Sequence, residues 1–320
     1  MSDSEALKTH LPAAVQGRVQ SLRLSSGAAT VVLDGSGLST AERTALEGAV
    51  KAALGAQPGV AEVRVAIMID KPVRRIVAVG SGKGGVGKST VSTNLAVALA
   101  KLGRKVGMVD ADVYGPSQPR LFGAEGIKPT ADGDKLVPVQ TKWGVPLLSM
   151  GQLVAPGKAL AWRGPMAGNA LGQLIDAEWG AVDTLVVDLP PGTGDVQLTM
   201  LQKYKPAGAV IVSTPQDLAL IDAVRAMQLF ELGEVPIIGM VENMAGYACP
   251  HCGEVSDPFG TGGAEAMAGR LELPFLGRIP LTPAIRLASD AGTPPAAGNG
   301  PEAAHFTDLA ARVAAWLDSH

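Results

Sequence analysis

Gly82-Lys83-Gly84-Gly85-Val86-Gly87-Lys88-Ser89-Thr90 is the stretch on which the fold turns. It satisfies G-x-x-x-x-G-K-[ST] in the setting that motif needs: an apolar run before it (IVAV, 76–79) and a helical stretch after it (89–102). Glycines let successive backbone N–H groups turn inward around phosphate oxygens, and the positive end of the following helix adds to the same field. The expected division of labour puts Lys88 on the β/γ-phosphates and the Ser89 hydroxyl on Mg²⁺, with Gly82 through Thr90 forming the cradle. A glycine-rich turn that binds nothing is the plain alternative. A match this complete, in this setting, argues against it.

Outward from the loop, 106–109, 185–187, 210–212 and 237–241 are short continuous apolar runs, the pattern of strands buried on both faces. Helical stretches at 89–102, 219–232 and 263–271 intervene. Strand, helix, strand in alternation predicts right-handed crossovers and a doubly wound, mostly parallel α/β sheet. The segment 293–300 (TPPAAGNG) reads as loop, and 303–317 as a closing helix. The first 72 residues read as a separate small α/β unit. A strand at 29–33 meets the turn pair Asp34-Gly35, and Ser39 with Glu42 has capping-box spacing at the start of a helix. Leu46, Val50 and Leu54 share that helix's inner face, Gln57-Pro58-Gly59 stops it, and Val63, Val65, Ile67 and Ile69 alternate as a half-buried strand. Lys71-Pro72 marks the boundary, so the expected domains are 1–72 and 73–320.

Carboxylates stand at the strand ends, where open parallel sheets bind ligands. Asp110-Ala111-Asp112 closes the run 106–109, and Asp188 closes 185–187 in the manner of a Walker B aspartate that holds Mg²⁺ through water. Either aspartate by itself would also suit a helix cap or a turn. Pro190-Pro191-Gly192-Thr193-Gly194-Asp195 follows directly, stiff and then flexible, as suits a switch that senses the γ-phosphate. Lys83 places a second cation on the same cradle, where it can neutralise γ-phosphate charge as an arginine finger does.

Composition narrows the class. Of 320 residues, 47% are hydrophobic and 18% charged, which allows a large core and excludes intrinsic disorder. Aromatic residues are only 4%, so Val, Ile, Leu and Ala must build that core. A net charge of −3 argues against non-specific nucleic-acid binding, which requires a basic surface. No apolar run reaches the roughly 18 residues of a membrane span, and MSDSEALKTH does not read as a secretory signal. The expectation is a cytoplasmic chain with neither nucleic acid nor membrane as partner. Both cysteines fall in Cys249-Pro250-His251-Cys252-Gly253, which points to metal or redox chemistry.

Two thiolates at C-x-x-C spacing grip one metal or two corners of a cluster, and a four-ligand centre needs two more. A symmetric dimer supplies them from the copy of the same loop. Zinc shared between subunits has the same ligand count, and a zinc knuckle, a redox thiol pair and inert cysteines remain open on spacing alone. His251 reads as an exposed loop residue rather than a ligand. Trp162-Arg163-Gly164-Pro165 suits a surface contact or a packed turn.

With Lys83 and Lys88 on one loop the chain resembles the deviant Walker A ATPases, the group of MinD, ParA, ArsA and the nitrogenase iron protein. More narrowly it resembles the Mrp (ApbC)-type iron–sulfur carrier ATPases, through GSGKGGVGKSTVSTNLAVALA at 80–100, DADVYGPSQP at 110–119, WRGPM at 162–166 and VVDLPPGTGDVQLT at 186–199. STPQDLALIDA at 213–223, VENMAGYACPHCG at 241–253 and LGRIPLTPAIRLASDAGTP at 276–294 continue the match. The resemblance implies an ATP-dependent homodimer in which Lys83 reaches the partner's nucleotide, Asp112 orients the attacking water and Asn243 contacts adenine. It further implies a [4Fe–4S] cluster bound by Cys249 and Cys252 between two subunits, received from assembly proteins and passed to apo-proteins. The first 70 residues match the family's preceding domain poorly and contain no cysteine, which suits docking rather than chemistry. The rival expectation is a MinD- or ParA-like positioning ATPase with structural zinc at the C-x-x-C. The closing segment HFTDLAARVAAWLDSH carries one Arg and two Asp, unlike a basic membrane anchor.

Overall fold

The computed structural model describes residues 7–36, 38, 40–68, 74–153 and 164–320. The readings placed on Ser39, Ile69, Lys71-Pro72 and Trp162-Arg163 lie outside these residues. The chain divides into two compact units, Met1–Val73 and Arg74–His320.

In the first unit β1 (Val19–Ser25) pairs antiparallel with β2 (Ala28–Asp34), and β2 pairs parallel with β3 (Glu62–Met68). The helix Thr40–Gly55 makes the crossover from β2 to β3. Val31 opposite Val65 and Leu33 opposite Ile67 put the apolar positions on one face, over Val50 and Leu54 of the helix. The sequence reading lacked β1. Its turn into β2, Ser26-Gly27, has positive φ at both residues, the geometry of a two-residue hairpin whose twist matches the strands.

In the second unit seven strands form one parallel sheet: β4 (Arg75–Gly80), β5 (Val106–Asp110), β8 (Leu147–Ser149), β9 (Thr184–Asp188), β10 (Gly208–Ser213), β11 (Ile237–Asn243) and β14 (Phe275–Ile279). Two small hairpins lie outside it, β6 (Thr130–Asp132) with β7 (Lys135–Val137) and β12 (Tyr247–Ala248) with β13 (Val255–Ser256). The order across the sheet is β14-β11-β10-β4-β9-β5-β8. Alternate residues of β4 feed opposite cores: Val77 and Val79 pack with the helices Lys88–Lys101 and Pro301–Ser319, and Ile76 and Ala78 with Gly164–Ile175 and Asp217–Leu232. Burial on both faces explains why the central strands read as unbroken apolar runs. No helix among the described residues is long and apolar enough to cross a membrane.

Two expectations change in detail. The edges β8 and β14 were not foreseen: β8 has three residues, and the apolar pattern of β14 is broken by Gly277 and Arg278. The segment 293–300 is more than a connection. Within it Pro295–Ala297 forms a 3₁₀ turn, and the Ala296 N–H donates to Asn94 Oδ1 at 2.8 Å. Lys101 Nζ donates to the carbonyls of Ala296 and Gly298 at 3.0 and 2.6 Å, which ties the segment to the helix that follows the glycine-rich loop.

Candidate functional site

Because every strand of the large sheet runs the same way, their carboxyl ends share one edge. There β4 delivers the loop 81–87, β9 delivers Asp188, β5 delivers Asp110 and Asp112, β10 delivers the turn with Gln216, and β11 ends on Asn243. A cleft of about 310 Å³ opens among Lys83, Gly84, Gly85, Gly87, Lys88, Ser89, Thr90, Asp112 and Pro191. Clefts of that size at such an edge hold small ligands.

Two glycines of the loop are required by geometry. A Cβ on Gly82 would sit 2.0 Å from the backbone of Asp222, so only a bare backbone lets the loop pass the helix Asp217–Leu232. Gly87 has φ of +80° and caps the helix Lys88–Lys101, and a Cβ there would meet the Asn243 amide at 2.1 Å. Asn243 Nδ2 donates to the Val86 carbonyl at 2.8 Å. The residue expected at adenine is thus joined to the loop backbone in this structure.

Beneath the loop lies a buried polar cluster. Lys88 Nζ sits 2.6 Å from Asp188 Oδ1, with Lys88 6% exposed and Asp188 fully buried. The Ser92 hydroxyl lies 2.8 Å from that same oxygen, and Gln118 Nε2 donates to Oδ2 at 2.9 Å. Asp110 accepts from the Gln118 N–H at 3.0 Å, the Ser149 hydroxyl at 2.9 Å and the Asp112 N–H at 3.2 Å. Burial, then the neighbouring charge of Asp188, pushes the Asp110 carboxyl up to about 7, against the pull of those donors and of Lys88. Asp112, 8% exposed, closes a local turn by accepting from the Tyr114 and Gly115 N–H groups at 2.9 and 3.1 Å. Lys83 is half-buried on the rim, with Nζ 3.4 Å from Gln216 Oε1.

Several of these residues carried no role in the sequence reading. Ser92, Thr93, Gln118, Gln197 and Gln216 sit inside quoted motifs, and Ser149 among apolar neighbours. Gln197 Nε2 donates to the Pro190 and Gly192 carbonyls at 2.7 and 3.0 Å, and the Gly192 N–H donates to Ser81 O at 2.9 Å, fixing the PPGTG turn against the loop. Only Ser149 carried a signal, a polar side chain in an otherwise apolar stretch, which is costly when buried without partners; the others stand among polar residues.

Cys249 and Cys252 stand apart from this cluster, on the hairpin β12–β13 that leaves β11 a few residues after Asn243. The Cys249 N–H donates to Glu254 O at 2.9 Å and the Gly253 N–H to Cys249 O at 2.8 Å, with Gly253 at φ +76° closing the turn. Backbone N–H groups of Cys252 and His251 point toward the Cys249 sulfur, and with the Cys252 side chain they hold its thiol below the ordinary range. Cys252 and His251 are exposed, and Cys249 is half-buried. Among the described residues no three His, Cys, Asp or Glu side chains converge where a metal would sit.

A doubly wound parallel sheet whose first strand enters a G-x-x-x-x-G-K-S loop, with aspartates ending the neighbouring strands, defines a P-loop NTPase. The family model for NUBPL iron-transfer P-loop NTPases, of the ParA group, matches residues 72–314, and the chain belongs to that family. It is 49% identical over 250 residues to the iron–sulfur cluster carrier protein of Escherichia coli K12, a match covering 77% of this chain and 67% of that one. It is 51% identical over 225 residues to the mitochondrial iron–sulfur protein required for NADH dehydrogenase of Arabidopsis thaliana, covering 69% and 71%. Among solved structures, it is similar to a nucleotide-binding protein from Archaeoglobus fulgidus in complex with ADP, with 42% identity and a TM-score of 0.61 over 68% of this chain and 86% of that one. It is also similar to the cell-division ATPase MinD of Pyrococcus furiosus, at 25% identity and a TM-score of 0.58 over 76% and 99%. MinD is a relative in fold.

Proposed function

We propose that the chain is an ATP-hydrolysing carrier that holds a [4Fe–4S] cluster between two subunits and passes it to apo-proteins. The observation that carries this is the continuity of β11. Its last residue, Asn243, bonds the phosphate loop at Val86, and six residues further on the same segment presents Cys249. The Ala245 N–H to Ile279 O at 3.0 Å and the Leu281 N–H to Gly246 O at 2.9 Å brace the path between them. A change in the loop on binding nucleotide has a short covalent and hydrogen-bonded route to the cysteines, and differential contacts in two nucleotide states can then favour grip or release.

In this reading Lys88 and the N–H groups of residues 82–90 bind the phosphates, and Asn243 turns to adenine. Ser89 and, through water, Asp188 are the oxygen donors that would hold Mg²⁺, which offsets phosphate charge; a hydroxyl and a carboxylate suit that hard cation. Asp112 orients the attacking water, and Lys83 leaves Gln216 to reach the partner's nucleotide. Cys249 and Cys252 from each of two copies make four thiolates, and the outward-facing hairpin suits both reception from assembly proteins and hand-over. Free thiols stay available in a reducing setting such as the cytoplasm. No role for nucleic acid or membrane follows from this chemistry, and the unit of residues 1–72 serves docking.

The test is anaerobic reconstitution followed by transfer to an apo-acceptor with and without ATP. The expected result is broad absorption near 400 nm, about four irons per dimer, and transfer that depends on nucleotide. Colourless, tight zinc binding would overturn the cluster and favour the positioning ATPase with structural zinc.

A further inference from the structure

Gln118 has no part in the reading above, yet its side chain is fully buried at the centre of the site. Its backbone N–H donates to Asp110 Oδ2 at 3.0 Å, and its Nε2 donates to Asp188 Oδ2 at 2.9 Å and to the Ser89 carbonyl at 3.1 Å. Its Oε1 accepts from the Thr93 hydroxyl at 2.6 Å. The amide orientation follows from chemistry: a carboxylate and a carbonyl only accept, so the NH₂ must face Asp188 and Ser89, and the oxygen must face the hydroxyl. One side chain therefore joins β9 to the helix Lys88–Lys101, while its backbone joins both to β5.

Gln118 also opens the short helix Gln118–Leu121, which ends the segment that begins at Asp112. That segment is secured at its start by Asp110, which accepts the Asp112 N–H, and at its finish by Gln118. Between these anchors Tyr114 is 82% exposed. The reach of Asp112 into the cleft is thus set by two fixed ends, and the second is held by an amide that also donates to the Walker B carboxylate.

We infer that Gln118 is a positioning residue for nucleotide hydrolysis, holding Asp188 and the segment 112–117 in one geometry. Removing it loosens the placement of Asp112 without removing any group that binds phosphate. The consequence is a fall in kcat with nucleotide affinity retained, since misplacement of a catalytic group by a fraction of an ångström costs rate rather than binding. This inference rests on the ATPase reading, and the test separates the two.

The variants are Gln118→Met, which keeps the volume and removes both donors, and Thr93→Val, which leaves Gln118 in place but frees its amide to turn. Each is measured in the full chain for kcat, for the Kd of a fluorescent ATP analogue, for Tm, and for the rate of chymotrypsin cleavage after Tyr114. Gln118→Met is expected to lower kcat about tenfold and Thr93→Val about threefold, with Kd within about twofold of the parent. Cleavage after Tyr114 is expected to rise in the same order, relative to cleavage elsewhere in the chain. Two folded variants with parental kcat and parental cleavage would overturn the inference, as would a rise in Kd parallel to the loss of kcat. Should the parent chain hydrolyse no ATP, the ATPase reading fails; unchanged cleavage after Tyr114 in both variants would then count separately against the role of Gln118. If Gln118→Met does not fold, Thr93→Val decides by the same criteria.

Discussion

The phosphate-loop corner and the cysteine hairpin are built on opposite principles. At the loop, Lys88, Asp188, Asp110 and Gln118 are buried and partnered by groups from β5, β8, β9 and the helix Lys88–Lys101. At the hairpin, two strands of two residues each carry an exposed turn, with Cys252 exposed and Cys249 half-buried. A buried polar cluster persists only when its members satisfy one another, so the cluster beneath the loop is complete within one chain. The second offers half a coordination shell, and the rest must come from outside. One site is preorganised; the other waits for a partner.

The largest effect expected from breaking this contrast is at the hairpin. Cys249→Ala or Cys252→Ala should abolish the absorption near 400 nm after reconstitution while shifting stability by no more than about 0.5 kcal/mol, because neither thiol packs in a core. Retention of a full iron complement by either variant would place the ligands elsewhere. Lys88→Ala should act on both binding and stability. Loss of the phosphate contact should weaken nucleotide binding at least about a hundredfold, and Asp188 left buried without its counter-ion should cost about 3 kcal/mol in the nucleotide-free chain. Calorimetry and denaturant titration read the two effects separately. A variant as stable as the parent would mean that the pair at 2.6 Å contributes nothing to the fold. Lys83→Ala is smaller again: its only described partner is Gln216 at 3.4 Å on the rim, so stability should hold. Turnover should drop about tenfold, in the concentration range where subunits associate. Turnover equal to the parent's would remove the cross-subunit role.

The same contrast explains what was legible beforehand. The strands β4, β5, β9, β10 and β11 announced themselves because burial on both faces demands unbroken apolar runs. The loop was legible because its glycines answer to backbone geometry, and Gly82 and Gly87 admit no Cβ. The edges β8 and β14 were hidden, since short strands beside prolines and glycines owe their existence to a neighbour already in place. β1 was hidden for a similar reason, its signal being the Ser26-Gly27 turn more than its own alternation. Gln118 lay within a recognised motif, yet its role is set by Asp188, 70 positions away in sequence, and no local pattern encodes that meeting. Cys249 and Cys252 were legible as ligands, and the spacing left the identity of the metal open.

The last effect, and the one that bears most directly on the buried corner, concerns Asp110. Its carboxyl titrates at about 7 in the folded chain, whereas in the unfolded chain it titrates near the ordinary value of about 3.9. Between those values the native state keeps a proton that the unfolded state has released. The contribution of Asp110 to the stability of the nucleotide-free, metal-free chain therefore falls as pH rises from about 4 toward about 7, and flattens above that. Asp110→Asn, with its amide oxygen in the place of Oδ2, keeps the acceptor for both the Gln118 N–H and the Ser149 hydroxyl. It loses the long 3.2 Å bond from the Asp112 N–H, for a cost of about 1 kcal/mol. With nothing left to ionise there, the variant's stability should decline less steeply across that window, so that the two curves cross as pH rises and the variant is the more stable near pH 7. Denaturant titrations at several pH values measure the slopes. Parallel lines would mean that Asp110 is already ionised when folded, held so by Lys88 and its donors against the charge of Asp188.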